Sequence, residues 1–432
     1  MEGGSLPSPP GADADRRALS LAAGGSWLDR RLASAFVARL ERIAEGTLEL
    51  RGGHRALRFG RPAPDGLAAA LEIRDPRCLR RIATGGSLGA AEAYLDGLWE
   101  SPDLVALVRL FARNRAALEG LEGGWARLGR WPAKALHALR ANTRRGSRAN
   151  IEAHYDLGND FFALFLDESM TYSAALFERP EATLEEAQTA KIDRLCRLLR
   201  LGPGDHLLEI GTGWGALAIH AASRYGCRVT TTTISRAQRA AARERIAAAG
   251  LAGRIELLDR DYRDLEGTYS RIVSVEMVEA VGLERLPGFF AVLDRRLAPG
   301  GLAAIQSITL AERFYEGAKA GVDFIQRHVF PGGAIPSLGA LLAAAAGASR
   351  MTPVEVADLG PDYARTLALW SQRFEANLER VRGLGFDERF VRLWRYYLAY
   401  CEAGFLERAL SDAQILFAGP EYRGPVRFGG AA

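Results

Sequence analysis

From about Asn150 onward, short apolar runs alternate with longer stretches in which apolar residues return every three or four positions. The short runs read as buried strands and the longer stretches as amphipathic helices. Leu184–Leu201 predicts a helix, and the apolar run opening at His206 predicts a strand that breaks into three closely spaced glycines, Gly211, Gly213 and Gly215. The runs Cys227–Thr233, Arg254–Leu258, Arg271–Val275 and Gly301–Ile305 predict four more strands. Strands alternating with helices in this way form a doubly wound α/β sheet. Beyond Ile308 the pattern becomes mainly helical, interrupted at Phe330-Pro-Gly-Gly and Ile335-Pro-Ser. A helical insertion at that point is placed to cover a cavity at the carboxyl ends of the strands. Its aromatic residues, among them Trp370, Phe374, Trp394, Tyr396, Tyr397 and Phe405, fit ordinary core packing and also the lining of an apolar tunnel.

Ahead of that region the pattern differs. Residues 1–18, rich in Pro, Gly and Ser, predict a disordered tail. Residues 19–118 predict a smaller α+β domain. It has a helical start, a hairpin of Thr47–Arg51 and Arg55–Phe59 around Gly52-Gly-His54, a third strand within Leu67–Arg74, and a helix start at Ser101-Pro-Asp-Leu. Residues 119–149 are a basic connector, and residues 150–424 carry the α/β pattern. If Trp125–Leu139 is helical, Trp125, Leu128, Trp131, Ala135 and Leu139 share one face while Arg127, Arg130 and Lys134 share the other. Pro132 weakens that helix. The pattern suits contact with anionic lipid, and equally a domain-packing helix with a solvated basic face. Nucleic acid is not indicated, because no aromatic-studded binding motif or zinc module accompanies the charge.

Length and composition narrow the class. A chain of 432 residues with 48% apolar content can build two full cores. Cys78, Cys196, Cys227 and Cys401 lie far apart with no C-x-x-C pair, so neither a metal site nor a disulfide framework is indicated, and a reducing cytoplasm fits. No apolar run reaches the ~18 residues that span a bilayer, so any membrane contact is expected to be peripheral. The net charge of +4 is unevenly spread: nine arginines and Lys134 lie between Arg109 and Arg148, against Glu119 and Glu122.

The glycine loop carries the first chemistry. Three glycines after a strand allow a sharp turn and a close backbone approach to a ligand, and the following helix offers its positive dipole end. The third glycine comes two residues after the second, not three, and the next strand ends in Thr233, Ile234 and Ser235 where a dinucleotide enzyme would place an acid for the ribose. NAD is therefore disfavoured. A G-x-G-x-G loop preceded by Glu209 looks like the S-adenosylmethionine (SAM) site of Rossmann-like methyltransferases.

Seven motifs then stand in family order. They are His154-Tyr-Asp-Leu-Gly-Asn-Asp-Phe-Phe162, Met170-Thr-Tyr-Ser173, Glu209-Ile-Gly-Thr-Gly-Trp-Gly215, Thr233-Ile-Ser-Arg-Ala-Gln238, Asp261-Tyr-Arg-Asp-Leu265, Arg271-Ile-Val-Ser-Val275 and Phe330-Pro-Gly-Gly333. With them the chain resembles the cyclopropane fatty acid synthases, including those acting on mycolic acids. The resemblance implies a class I SAM methyltransferase domain. The expected enzyme visits the inner face of the membrane from the cytoplasm and adds the SAM methyl carbon to a cis double bond of unsaturated phospholipid acyl chains. It assigns Tyr155, Tyr172 and Ser173 to the methionine end of SAM, Gly211 and Gly213 to a backbone approach, and Gln238, Asp261 and Tyr262 to ribose and adenine. The rings of Tyr172, Phe177 and Tyr363 would face the cation left on the lipid. A homodimer and a separate reductase acting on the product are partners that the resemblance leaves open.

In the family a bound bicarbonate, held by a cysteine, a glutamate, a histidine, a tyrosine and a backbone group, takes the proton. Here the matching positions read Ala174, Glu279, Gln306, Tyr363 and Ile308, and the residue after the glutamate is Ala280. Ala174 offers no side-chain donor and Gln306 carries no charge, so the bicarbonate site is in doubt. Relatives with this altered pattern resemble enzymes that make methyl- or methylene-branched chains. Glu279, in an apolar pocket, is then the expected base, with Tyr363 and Gln306 beside it. A true cyclopropane synthase is the alternative, and a non-catalytic lipid-binding protein on the same fold is a third.

Overall fold

A computed structural model describes residues 26–52, 55–115, 157–319 and 321–425. The expected tail, the basic connector and Tyr155 lie outside the described residues. Contacts divide the chain into two units, one of residues 1–136, 321–324 and 386–407, the other of residues 137–320, 325–385 and 408–432.

The first unit contains a four-stranded sheet in the order β2-β1-β3-β4. Strand β1 (Gly46–Gly52) pairs antiparallel with β2 (Arg55–Arg61) in the expected hairpin and parallel with β3 (Ala68–Ile73), and β4 (Trp99–Glu100) closes the far edge. Helices α1 (Trp27–Leu40), α2 (Arg77–Leu95) and α3 (Leu104–Arg113) complete the N-terminal part. The helix Glu388–Leu406 also belongs here, packed on α3 and α2. Its Arg392 Nε donates to the Tyr94 carbonyl at 2.6 Å, and Arg392 Nη2 donates to the Trp99 carbonyl at 3.1 Å. The expected division at 19–118 and 150–424 is therefore corrected: a segment late in the sequence completes the first core. An amphipathic repeat shows that a helix must bury one face but not which partner it buries it against.

Two arginines of the basic stretch are committed within this unit. Arg109 pairs with Glu407 at 2.7 Å and Asp65 at 3.0 Å, and Arg113 with Glu407 at 2.6 Å and Asp65 at 2.5 Å. Trp394, Tyr396, Tyr397 and Phe405 are buried in this unit, whereas Trp370 and Phe374 are buried in the other.

The second unit is built on a seven-stranded sheet in the order β10-β11-β9-β8-β5-β6-β7. Strands β5 (His206–Ile210), β6 (Arg228–Thr232), β7 (Ile255–Leu258), β8 (Tyr269–Val275) and β9 (Leu297–Leu310) are mutually parallel and coincide with the five expected strands. Strands β10 (Thr352–Asp358) and β11 (Leu410–Ala418) add an antiparallel edge that the helical reading of this region missed. Side chains alternate between two cores as strand geometry requires. Leu207, Val273, Leu302, Ala304 and Leu416 face one core, with Leu195 and Leu199; Leu208, Ile272, Ala303, Ile305 and Phe417 face the other, with Phe289, Phe290 and Leu341. The first core is roofed by α4 (Leu184–Leu198), whose start is set by a capping box between Thr183 and Glu186, and by α5 (Ala216–Arg224). Further helices include α6 (Arg236–Ala248), α7 (Leu286–Arg296), α8 (Leu338–Ala348) and α9 (Gly360–Ala376). The order in which strands are added reverses at β5, which lies between β8 and β6, and this places a crevice at its carboxyl end.

Candidate active site

The glycine loop occupies that crevice. Gly211 and Gly213 have φ of +102° and +52°, backbone that side-chain-bearing residues rarely adopt. A Cβ built on Gly213 would meet nothing within 4 Å, and one on Gly211 would first meet Met277 at 3.4 Å. The loop is thus an open cradle whose space a larger side chain would take, which fits a bound SAM. Glu209, next to last in β5, accepts from Thr231 Oγ1 at 2.5 Å; burial pushes its carboxyl up to about 8, against that hydrogen bond and the charge of Lys191.

The other residues assigned to the cofactor gather at the same edge. Gln238 lies in the first turn of α6, where Ser235 Oγ accepts its N–H at 3.3 Å and its Oε1 accepts from Thr233 Oγ1 at 3.1 Å. Asp261 follows β7 and is clamped by Arg263, which donates through its N–H at 3.0 Å and its guanidinium at 2.7 and 2.6 Å. The ring of Tyr262 packs against Phe289 at 5.6 Å. Ser173 Oγ accepts from the buried Lys191 Nζ at 2.6 Å, and its carbonyl accepts from Gln188 Nε2 at 2.8 Å. Tyr172 stands in an aromatic cluster, 5.3 Å from both Phe162 and Trp370 and 6.4 Å from Phe330. Phe177 differs from expectation: the Arg365 guanidinium already lies 3.9 Å over its ring, so that ring is not free on that face for another cation.

Beyond β8 the structure departs from the sequence reading. Three of the five positions that the resemblance assigns to a bicarbonate, Ala174, Gln306 and Tyr363, converge on a carboxylate of the chain itself, that of Glu276. The Ala174 N–H donates to Glu276 Oε1 at 2.8 Å, Gln306 Nε2 donates to the same oxygen at 2.9 Å, and the Tyr363 hydroxyl donates to Oε2 at 2.7 Å. These donors are already taken, and a second anion beside Glu276 would meet like charge, so the bicarbonate does not fit. Glu276 has φ of +46°, which costs a residue with a side chain roughly 1–2 kcal/mol. Burial pushes its carboxyl up, opposed by the Ala174 N–H, the charge of Lys191 and the hydrogen bonds from Tyr363 and Gln306.

Glu279, the expected base, occupies a neighbouring position. Its Oε1 accepts from the Ile308 N–H at 2.6 Å and Ser307 Oγ at 2.9 Å, while its buried Oε2 has no hydrogen-bond partner among the described residues. Gln306 and Ser307 are adjacent in β9 and project to opposite faces, so the strand directs the two carboxylates apart. Burial, and then the charge of Glu276, push Glu279 up to about 8. Gln306 and Tyr363 thus assemble around Glu276 and not around Glu279. The signal that could have found Glu276 was an acid at the carboxyl end of a central strand of a doubly wound sheet. Its wrapping by residues about 100 positions before it, 30 after it and 87 after it was not visible in the sequence.

Comparison with known proteins then bears on the class. Residues 142–415 match the family model described as mycolic acid cyclopropane synthetase. The chain is 42% identical to tuberculostearic acid methyltransferase UfaA1 of Mycobacterium tuberculosis (strain ATCC 25618 / H37Rv) over 357 residues, which cover 79% of this chain and 82% of that protein. It is 35% identical to the cyclopropane-fatty-acyl-phospholipid synthase of Escherichia coli (strain K12) over 353 residues, covering 81% and 88%. In structure it is similar to mycolic acid cyclopropane synthase CmaA1 complexed with SAH and CTAB, with a TM-score of 0.59, 34% identity, and coverage of 63% of this chain and 98% of that one.

The buried Glu279 makes a prediction about stability. The native state keeps its proton to about pH 8, whereas the unfolded chain releases it near pH 4.5. Its contribution is full below the lower value and is lost as pH rises through the higher one. Glu279→Gln, neutral throughout, lacks that loss. Urea midpoints measured between about pH 5 and pH 8 should fall for the wild type relative to Glu279→Gln, by at most about 1.4 kcal/mol per pH unit. Parallel curves would exclude a raised carboxyl here.

Proposed function

The chain belongs to the mycolic acid cyclopropane synthetase family, and on that footing we propose that it methylates a cis double bond of an unsaturated phospholipid acyl chain to give a methyl- or methylene-branched chain, with Glu276 as the base. It is a SAM-dependent methyltransferase acting on lipid acyl chains. SAM supplies an electrophilic methyl carbon. The observation that carries the finer reading is the Glu276 carboxylate held by the Ala174 N–H, the Gln306 amide and the Tyr363 hydroxyl.

An alkene is a weak nucleophile, so the chain's task is to hold the double bond against the methyl group in a site without water. The π pair forms the new carbon–carbon bond, the sulfonium keeps the electrons of the broken one, and positive charge remains on the neighbouring lipid carbon. Tyr172, Trp370 and Tyr363 form a connected aromatic wall, with Trp370 5.3 Å from Tyr172 and 6.1 Å from Tyr363. Such faces stabilise a desolvated cation by ~1–2 kcal/mol each. Glu276 adds a negative charge joined to that wall through Tyr363 and is placed to take the proton. If hydride first shifts from the methyl-bearing carbon to its neighbour, loss of a proton from the new methyl group to Glu276 leaves a methylene branch on the open chain. A separate reductase acting on that product would give a saturated branch. A base fixed to the backbone, unlike a trapped anion, has one approach to the cation, which supports an open chain over a ring. The 42% identity to a protein named as a methyltransferase supports the same reading. A cyclopropane ring is the second reading, favoured by the likeness to the E. coli synthase.

Among the described residues no helix is long and apolar enough to cross a membrane. The proposed encounter with phospholipid is therefore peripheral, at the inner face of the membrane, with Arg127, Arg130 and Lys134 contributing about 1 kcal/mol each near an anionic surface.

Four outcomes are expected. Calorimetry should detect SAM binding to the wild type and at least tenfold weaker binding to Gly213→Asn, a residue that tolerates the loop's positive φ but fills its space; equal affinity would remove the loop from the site. Glu276→Gln should bind SAM normally and lose about 10²-fold or more in turnover, and formate should partly restore Glu276→Gly by occupying the vacated donors. Proton NMR of the product lipid should show branch methylene signals in the vinyl region, or a methyl branch where a reductase is present, and upfield ring signals alone would establish the cyclopropane reading instead. Flotation with anionic liposomes should weaken in high salt and in the Arg127→Glu, Arg130→Glu, Lys134→Glu variant; equal flotation with neutral vesicles would refute the electrostatic contact.

A further inference from the structure

Behind Gln306 the structure continues as a buried chain of polar groups. Gln306 Oε1 accepts from Gln414 Nε2 at 3.0 Å, and Gln414 Oε1 accepts from Arg194 Nη1. Arg194 Nη2 is anchored at the partly exposed end by Glu355 at 2.8 Å. Gln306 and Gln414 are fully enclosed, at 0% and 1% exposure, on adjacent strands β9 and β11 where they face one another in register. They lie on the same face of the sheet as Leu302, Ala304 and Leu416, so one end of an apolar core has been given over to amides and a guanidinium.

Resting on the reading of Glu276 as the base, we propose that Arg194 and Gln414 are positioning residues that hold the Gln306 amide with its N–H toward Glu276 and so keep the base ionised. The direction of every bond follows from the outer end. A guanidinium can only donate. Gln414 must therefore present its oxygen to Arg194, which turns its NH2 to Gln306; Gln306 must then present its oxygen to Gln414, which turns its own NH2 to Glu276. With both amides reversed, Gln306 would offer Glu276 an oxygen, and only a protonated carboxyl could satisfy it. The two orientations of the amide pair thus correspond to the two protonation states of the base, and Arg194 selects the ionised one.

The surroundings show why such a selector is needed. The charged and titratable groups facing Glu276 are Lys191 from α4, Asp412 from β11, Glu279 from the turn after β8 and Tyr363 from α9. Two of these are carboxyls, and Asp412 is buried with neither oxygen hydrogen-bonded among the described residues. Lys191 is the cation among the four, and burial pulls its own pKa down. A donor of fixed direction stabilises the Glu276 anion without bringing another proton into the site.

The test is the pH profile of kcat with saturating SAM and lipid in the full-length enzyme. Gln414→Leu and Arg194→Met should each raise the acidic limb by about one pH unit and so lower turnover about tenfold at pH values on that limb, with KM for SAM unchanged. Arg194→Lys, which also only donates, should restore the limb, and Gln414→Leu added to Gln306→Leu should shift it no further. A limb that stays in place in Gln414→Leu and Arg194→Met, an Arg194→Lys that behaves like Arg194→Met, or additive shifts in the double variant would each overturn the relay. If Gln414→Leu does not fold, the Arg194→Met and Arg194→Lys pair decides the question. Failure of the underlying reading has a different mark: Glu276→Gln would then retain full turnover, whereas failure of the relay alone leaves Glu276→Gln inactive.

Discussion

A carboxylate held partly out of water must be matched donor by donor, and at Glu276 three elements of the second unit meet that requirement. The backbone turns into the left-handed region to deliver the side chain. The Ala174 loop, strand β9 and helix α9 each supply one hydrogen bond to it. Each of these elements is then fixed by something else. The Ala175 N–H donates to Thr366 Oγ1 on α9 at 3.1 Å, and the Phe177 N–H donates to Asp362 on the same helix at 2.8 Å. Moving any one of them would strand a buried charge.

Helix α4 serves both halves of the site. Gln188 and Lys191 hold the carbonyl and hydroxyl of Ser173, while Arg194 begins the amide chain to Glu276. These three residues are spaced three apart, so they share one face of the helix. A capping box fixes where the helix starts and hence where that face points. The glycine cradle and the Glu276 carboxylate lie at neighbouring strand ends of one sheet, which brings both to one crevice.

Glu279 illustrates how one residue of displacement along β9 separates two acids. Gln306 and Ser307 project to opposite faces, and each claims a different glutamate. The Phe330-Pro-Gly-Gly turn is tied to the same place through the Ala334 N–H and the Glu279 carbonyl at 2.8 Å. The rings of Tyr172, Trp370 and Tyr363 pack in a row beside this region.

Much of this was legible in the chain by itself. The five parallel strands, the helix ahead of the glycine loop and the hairpin near the N-terminus follow from periodicity and turn chemistry, which act over a few residues. The open glycine cradle follows from the spacing of Gly211, Gly213 and Gly215. Other features were decided only by tertiary structure. The helix Glu388–Leu406 joined the first unit, β10 and β11 joined the sheet across some 50 intervening residues, and Gln306 and Tyr363 closed on Glu276 instead of Glu279. Local pattern states that a face must be buried or a carboxylate satisfied; which distant residue does so depends on sheet order and register, and these exist only once the chain has folded.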